Sequence, residues 1–172
     1  SELYKLTLKD DGNLTYDKKD IRVLNLENFN AVFIRQDPPY DMKYISNTYL
    51  LEKLKHPIII NNPSELRHFP EKHIMMNFPN LTPPTVISSN VDILVQFIDK
   101  NKEVILKPAY GNGGLGIVKV DTNKKNIRSY LLKYINKFSN NPIIAQRFLK
   151  NYSKGDKRVI LINGDVTGAV LR

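Results

Sequence analysis

The sequence predicts an α/β unit followed by an α+β unit, and three features support this fold class. Up to residue 69, short apolar strands alternate with helical segments, as in a parallel sheet covered by helices. Prolines at 70, 79, 83 and 84 then interrupt the regular pattern and mark a domain boundary. Beyond them, a glycine-rich segment at 111–116 and the pair Asn163-Gly164 each separate two apolar strands, which predicts antiparallel hairpins.

The elements of the first unit are clearly delimited. An apolar run at 31–34 has the length of a strand, and apolar residues between 42 and 54 follow helical spacing. The three isoleucines at 58–60 predict a buried strand. Asn62 and Pro63 then supply an N-cap and a first-turn proline for a second helix.

The second unit is predicted to contain further strands and two longer helices. Residues 85–87 indicate a strand, after which Ser88 or Ser89 is expected to cap a helix. The remaining elements are strands at 104–108, 117–120 and 143–145, a helix at 127–135, and a hairpin from residue 158 onward. We expect an antiparallel sheet with its helices on one side.

The composition restricts the class of protein. The chain has 172 residues, 41% of them hydrophobic and 25% charged, which is typical of a globular protein and excludes a collagen-like or disordered chain. It has no cysteine, so disulfides and thiol nucleophiles are excluded, and no apolar stretch reaches the length of a membrane span. The net charge of +9 favours anionic partners.

The most informative segment is the glycine-rich loop, which reads G-x-G-G-x-G over residues 111–116. Such glycines let consecutive backbone N–H groups converge on an anion. Lys107 lies just upstream in an otherwise apolar strand, where an ammonium is costly to bury without an anionic partner such as phosphate. The residues alone leave open a simple hairpin tip with a lysine extended to solvent.

Two further features point to a cleft. The strand at 143–149 ends in Phe148 and Leu149, which can offer backbone groups and an apolar face to an adenine ring. Asp156, Lys157 and Arg158 then place more charge on a sheet edge. Arg35 and Asp37 lie in a proline-stiffened loop after the first apolar strand, where open α/β sheets usually bind ligands, although a surface ion pair would explain them equally.

Several motifs together resemble the bacterial type of glutathione synthetase, a family of the ATP-grasp superfamily. The element R-Q-D-P-P-Y-D at 35–41, followed by N-N-P at 61–63 and E-K at 71–72, is specific to that family. The elements I-L-K-P at 105–108 and the glycine-rich loop occur more widely among ATP-grasp ligases. The resemblance implies an ATP-grasp fold preceded by part of an α/β substrate-binding domain, with boundaries at 1–69, 70–150 and 151–172.

The resemblance also implies an activity, the ATP-dependent joining of γ-glutamylcysteine to glycine through an acyl phosphate, with release of ADP and phosphate. Under it, Arg35 and Asp37 would bind the dipeptide, and Arg158 and Arg172 would act in catalysis. Nucleotide binding would fall to Lys72, Lys107, Gly111, Asn112, Gly113, Gly114, Leu115, Gly116, Gln146, Arg147, Phe148 and Leu149.

The family uses ATP and Mg²⁺, but its metal ligands are expected downstream of residue 172, so no residue of this chain is assigned to the metal. We therefore expect an incomplete chain that is inactive alone. The resemblance further implies a cytoplasmic homo-oligomer whose partners are small molecules, without nucleic acid or membrane.

Two other functions remain open from the sequence. One is a different ATP-grasp carboxylate–amine ligase that makes another peptide, against which the D-P-P element argues. The other is a basic module that binds nucleic acid through the lysines and arginine between 119 and 137. The aromatic residues among these cations have core-compatible helical spacing, so a solvated helix face explains the charges more simply.

Overall fold

A computed structural model of the chain describes residues 4–21, 23–36, 39–110 and 113–172. These residues form two compact units, Ser1–Pro70 and Glu71–Arg172. Within the described ranges, every helix is too short or too polar to cross a bilayer.

The first unit begins with a β-hairpin. Strand β1 (Tyr4–Leu8) pairs antiparallel with β2 (Leu14–Ile21). The connecting turn is closed by Asp11, whose side chain accepts a hydrogen bond of 2.9 Å from the backbone N–H of Asn13. Gly12 occupies the left-handed region at φ +82°, which a residue without Cβ adopts at no steric cost.

The predicted strand–helix alternation follows, and the parallel pairing is confirmed. The elements are β3 (Ala31–Phe33), α1 (Met42–Glu52), β4 (Ile58–Ile60) and α2 (Pro63–His68). Strands β3 and β4 are parallel, with Ala31 opposite Ile58 and Phe33 opposite Ile60. The prediction that β4 is buried is wrong, because Ile58 is 67% exposed in this two-stranded sheet. An unbroken apolar run does not reveal how many of its two faces are covered.

Arg67 joins the two helices of this unit. Its guanidinium donates hydrogen bonds to Oγ1 of Thr48 in α1 (3.1 Å) and to the carbonyl of Pro63 (3.2 Å), and it forms an ion pair with Glu52. The same group lies 3.9 Å from the ring centroid of Tyr49. One planar, multiply donating side chain therefore fixes α2 against α1. The predicted cap is also confirmed, since Asn62 accepts from the N–H of Ser64 at 2.9 Å.

The second unit is built on a four-stranded sheet in which every neighbouring pair is antiparallel, as predicted. Its strand order is β5-β8-β6-β7. The strands are β5 (Thr85–Ser88), β6 (Glu103–Pro108), β7 (Val118–Asp121) and β8 (Ile143–Arg147).

Helices α3 (Val91–Asn101) and α4 (Ile127–Lys137) complete the core of this sheet. Strand β6 alternates strictly, with Val104 and Leu106 fully buried among residues from both helices. The core consists of Leu94, Ile98, Val104, Leu106, Val120, Leu131, Tyr134, Ile135, Ile143 and Ala145. One face of the sheet thus contacts the helices, and on the other face Ile144 is fully buried as well.

The predicted cap of α3 is wrong. Asn90 is the N-cap, and its side-chain oxygen accepts from the N–H groups of Asp92 (2.8 Å) and Ile93 (3.3 Å). The hydroxyl of Ser88 instead accepts from the N–H of Asn90 at 2.9 Å. Ser88 ends β5, so its hydroxyl braces the turn that leads into the helix.

A second hairpin ends the chain. Strand β9 (Lys157–Ile162) pairs antiparallel with β10 (Asp165–Leu171), which confirms the predicted turn. Asn163 and Gly164 both have positive φ (53° and 90°), the backbone conformation of the tight turns that match strand twist. Short 3₁₀ helices occur at Leu26–Asn28, Ile74–Asn77, Pro79–Leu81 and Lys150–Lys154.

Candidate functional site

The face of the second sheet that points away from the helices carries several polar side chains in one row across the strands. The strand register places Thr85 opposite Gln146, Gln146 opposite Ile105, and Ile105 opposite Lys119. Lys107 follows Ile105 two positions later on the same face of β6, because side chains of a strand alternate between faces. This row brings together residues that are far apart in the sequence.

Lys107 is held by a neutral partner. Its Nζ donates to Oε1 of Gln146 at 3.2 Å. The Gln146 amide is itself fixed, since its Nε2 donates to Oγ1 of Thr85 (2.8 Å) and lies 3.4 Å from Sδ of Met75. No carboxylate in the described part of the chain forms an ion pair with Lys107, so its charge is solvated by one amide oxygen rather than neutralised.

A second ammonium lies at the same place. Nζ of Lys72 donates to the carbonyl of Pro108 at 2.9 Å, at the end of the strand that carries Lys107. Burial, and then the positive charge of Lys72, lower the pKa of Lys107, whereas Glu71 opposes the shift. Burial likewise lowers the pKa of Lys72. Two partly desolvated cations, of which Lys72 destabilises Lys107, form a site at which an anion would be stabilised.

His73 extends this cluster and was not predicted as a site residue. Its ring lies 5.3 Å from that of Tyr110, the last described residue before the glycine-rich loop. Burial, followed by the charge of Lys72, lowers the pKa of His73, so the neutral ring is favoured. In the sequence, only the position of His73 next to Lys72 could have indicated that it belongs to this cluster.

The glycine-rich segment joins β6 to β7, as the sequence predicted. Of the residues assigned to the nucleotide, Gly111 and Asn112 lie outside the described residues. Gly113, Gly114 and Gly116 all have positive φ (59°, 75° and 79°), conformations that other residues adopt only under strain. Leu115, between them, is exposed. The three glycines therefore leave their backbone groups uncovered by side chains of their own.

The end of β8 supplies the other predicted nucleotide residues. Arg147 and Leu149 are exposed, whereas Phe148 is half-buried and its N–H donates to the carbonyl of Glu103 at 2.9 Å. Nζ of Lys119 lies 4.0 Å from the centroid of the Phe148 ring and forms an ion pair with Glu103. Lys119 had been predicted only as part of a solvated basic stretch.

Within the second unit, the predicted catalytic residues Arg158 and Arg172 form no hydrogen bond or ion pair with Lys72 or Lys107 in the described ranges. Arg35 follows β3 in the first unit and is exposed, and Asp37 lies outside the described residues. Arg158 is an exposed residue of β9 opposite Val170. Arg172 forms an ion pair with Asp156 within the same hairpin, and this pair lowers the pKa of the Asp156 carboxyl.

The described residues contain no group of three or more His, Asp or Glu side chains that could hold a metal ion. The carboxylate of Glu103, on the edge of the same sheet, is instead paired with Lys119. The residues described here therefore do not fit a Mg²⁺ site of their own.

The fold of this chain matches that of ATP-grasp ligases. A structure of D-cycloserine synthetase superposes with a TM-score of 0.61 over 85% of this chain and 53% of its own, at 13% identity. D-alanyl-alanine synthetase A from Vibrio cholerae superposes with a TM-score of 0.54 over 96% of this chain and 49% of its own, at 14% identity. These likenesses establish the ATP-grasp fold.

The family is established by sequence. Residues 1–67 match the model of the prokaryotic glutathione synthetase N-terminal domain, and residues 71–172 match that of the prokaryotic glutathione synthetase ATP-grasp domain. The chain is 38% identical to the glutathione synthetase of Bradyrhizobium diazoefficiens over 97% of its length and 53% of that protein. It is 41% identical to that of Brucella melitensis over 86% of its length and 47% of that protein.

This chain therefore belongs to the prokaryotic glutathione synthetase family, as its motifs had indicated. It spans about half the length of the relatives that it matches.

Proposed function

We propose that this chain is part of an ATP-dependent ligase that joins γ-glutamylcysteine to glycine and releases ADP and phosphate. The observation that carries the proposal is the pair of partly buried ammonium groups, Lys72 and Lys107, at the base of the glycine-rich loop. Neither forms an ion pair with a carboxylate in the described ranges, although the charge of Glu71 favours both ammonium groups, and Lys107 is destabilised by burial and by the charge of Lys72. A bound polyphosphate would pair with both ammonium groups and offset the repulsion between Lys107 and Lys72.

The nucleotide would be held by three parts of the second unit. Lys72 and Lys107 bind its phosphates, and the loop at 111–116 covers them with backbone N–H groups. Gln146, Arg147, Phe148 and Leu149, at the end of β8, flank the adenine. Within the described ranges no carbonyl accepts from the N–H of Leu149, which leaves that donor for the edge of the base.

The chemistry has two balanced steps. An oxygen of the dipeptide carboxylate attacks the γ-phosphorus, and the bond to the bridging oxygen breaks, so that ADP leaves and an acyl phosphate forms. The amine of glycine then attacks the acyl carbon, phosphate departs, and the amine loses a proton. Since the first step brings two anions together, it requires the cations described above, and a closed loop would protect the acyl phosphate from water.

The proposal extends to the substrates and to the domain organisation. Arg35 and Asp37 would bind the dipeptide, and Arg158 and Arg172 would stabilise the transferred phosphoryl group. Residues 1–69 would belong to the substrate-binding domain, 70–150 to the smaller ATP-grasp lobe, and 151–172 to the start of the second lobe. We propose a cytoplasmic homo-oligomer that uses Mg²⁺.

Calorimetric titration of the chain with ATP tests nucleotide binding directly. We expect Lys107→Met to weaken ATP about tenfold to a hundredfold, the effect of losing a charge-assisted hydrogen bond. The matched control is Lys133→Met, which removes an equally sized but exposed cation from α4 and should bind like the wild type. The absence of heat with wild-type protein would contradict the proposal.

The substrates are tested by phosphate release from a full-length version, which should require both γ-glutamylcysteine and glycine. The chain of 172 residues alone should show no turnover. Release that depends on a different acidic peptide would identify another ATP-grasp ligase. Single-stranded nucleic acid that binds undiminished by excess ATP would favour the nucleic-acid interpretation instead.

A further inference from the structure

Helix α4 holds the last glycine of the loop. The hydroxyl of Tyr134 donates a hydrogen bond of 2.6 Å to the carbonyl oxygen of Gly116. Tyr134 is itself buried in the core of the second unit. A buried side-chain donor therefore fixes the C-terminal end of the loop.

Phe138, the C-cap residue that follows α4, packs against the same glycine. A Cβ added to Gly116 would lie 2.5 Å from Cζ of Phe138, and the residue has φ +79°. By contrast, a Cβ on Gly113 or Gly114 would meet no atom within 4 Å. The loop therefore has a tightly packed end at Gly116 and an open middle.

We propose that Tyr134 is a positioning residue that fixes the C-terminal hinge of the glycine-rich loop, so that residues 113–115 close over a bound triphosphate about a stationary Gly116. This inference rests on the proposed function. The opposite end of the loop has its own fixed point, since Lys72 bonds the carbonyl of Pro108 at 2.9 Å.

A fixed hinge matters because loop closure must place backbone N–H groups against the phosphates in one geometry. If the hinge drifts, the closed state is less populated, and the apparent affinity for a ligand that needs closure falls by the same factor. A ligand without phosphates makes no use of closure, so its affinity should not change.

The hydroxyl is suited to this constant role. Burial raises the pKa of Tyr134 to about 12, so the hydroxyl stays protonated and able to donate at neutral and moderately alkaline pH. Its neighbour Tyr130 has a ring 6.4 Å from that of Tyr134 but makes no recorded hydrogen bond to the loop in the described ranges. Tyr130 therefore offers a matched control on the same helix.

The test compares Tyr134→Phe with Tyr130→Phe, each of which removes one hydroxyl and keeps the ring. Amide hydrogen exchange of the chain without nucleotide should be about twofold to tenfold faster over residues 113–118 in Tyr134→Phe, the usual effect of one lost hydrogen bond. In calorimetric titrations, the affinity of Tyr134→Phe for ATP should be about twofold to tenfold lower than that of the wild type, while its affinity for adenosine stays unchanged. Tyr130→Phe should match the wild type in both measurements.

The inference is overturned if exchange over 113–118 is the same in Tyr134→Phe and wild type. It is also overturned if Tyr134→Phe weakens ATP and adenosine equally, since that would be a general effect on the fold. If only the inference fails, wild type and Tyr134→Phe both bind ATP, and with equal affinity. Failure of the proposed function appears as no ATP binding by the wild type, and this outcome overturns the inference as well.

Discussion

Nζ of Lys107 lies 3.2 Å from Oε1 of Gln146, although 39 residues separate the two along the chain. The amide oxygen solvates the ammonium without cancelling its charge, and the nearby charge of Lys72 destabilises it further. A carboxylate in place of this amide would fill the site with an internal anion. The neutral partner therefore keeps the site ready for an external one.

This arrangement predicts that ATP binding takes up protons at alkaline pH. In the free protein the pKa of Lys107 lies below its ordinary value of 10.5, because of burial and the charge of Lys72, with Glu71 opposing. A bound phosphate raises that pKa again, so affinity should be independent of this group at low pH and fall as pH rises through the free-state pKa.

Titrations in two buffers of different ionisation enthalpy would measure this uptake. Lys72, whose pKa is also lowered by burial, should contribute in the same direction, whereas the neutral His73 should not titrate there. Heats that are independent of the buffer at alkaline pH would contradict the prediction.

Arg67→Lys should destabilise the first unit by about 1–3 kcal/mol, since lysine cannot reproduce the forked contacts with Thr48, Pro63 and Glu52. Its side chain is only 13% exposed, so the lost bonds are not replaced by water. Urea denaturation would measure the change in the free energy of unfolding.

The matched control for that substitution is Arg128→Lys. Arg128 also pairs with a carboxylate, that of Asp92, but both side chains are 62% exposed. The expected change is within about 0.5 kcal/mol, as for most surface pairs. Equal effects of the two substitutions would show that Arg67 has no special structural role.

Leu131→Ala should destabilise the second unit by about 2–5 kcal/mol, because it leaves a cavity in a close-packed core. Leu131 is 0% exposed, whereas its neighbour Leu132 is 53% exposed. Leu132→Ala is thus a control with the same chemical change on the same helix, expected to cost well under half as much. Thermal unfolding of both variants checks the difference, and similar values would mean that α4 does not face the core as described.

Asn90→Ala should cost about 1 kcal/mol, since the side chain caps two N–H groups at the start of α3. Ser89→Ala serves as the control because Ser89 makes no recorded capping bond in this part of the structure. Chemical denaturation would separate the two. A larger loss of stability for Ser89→Ala than for Asn90→Ala would support Ser89, one of the two serines predicted as caps, as the N-cap of α3.

Local elements of this protein were accessible from the sequence because their signals act over a few residues. Asn163 and Gly164 predict a tight turn since both tolerate positive φ, and Asn62 with Pro63 predicts a helix start. The family motifs likewise identified Lys72 and Lys107 as candidates before any contact was known. The cap of α3 failed because Ser88, Ser89 and Asn90 carry the same type of signal, and only the end of β5 distinguishes them.

The tertiary structure alone decided which of these residues meet. The strand order β5-β8-β6-β7 places Gln146 beside Lys107, and no local pattern specifies that order, because strand pairing depends on burial summed over the whole sheet. The exposure of Ile58 and the contact of Tyr134 with Gly116 have the same origin. Backbone torsion preferences are properties of short segments, whereas neighbours and burial are properties of the packed chain.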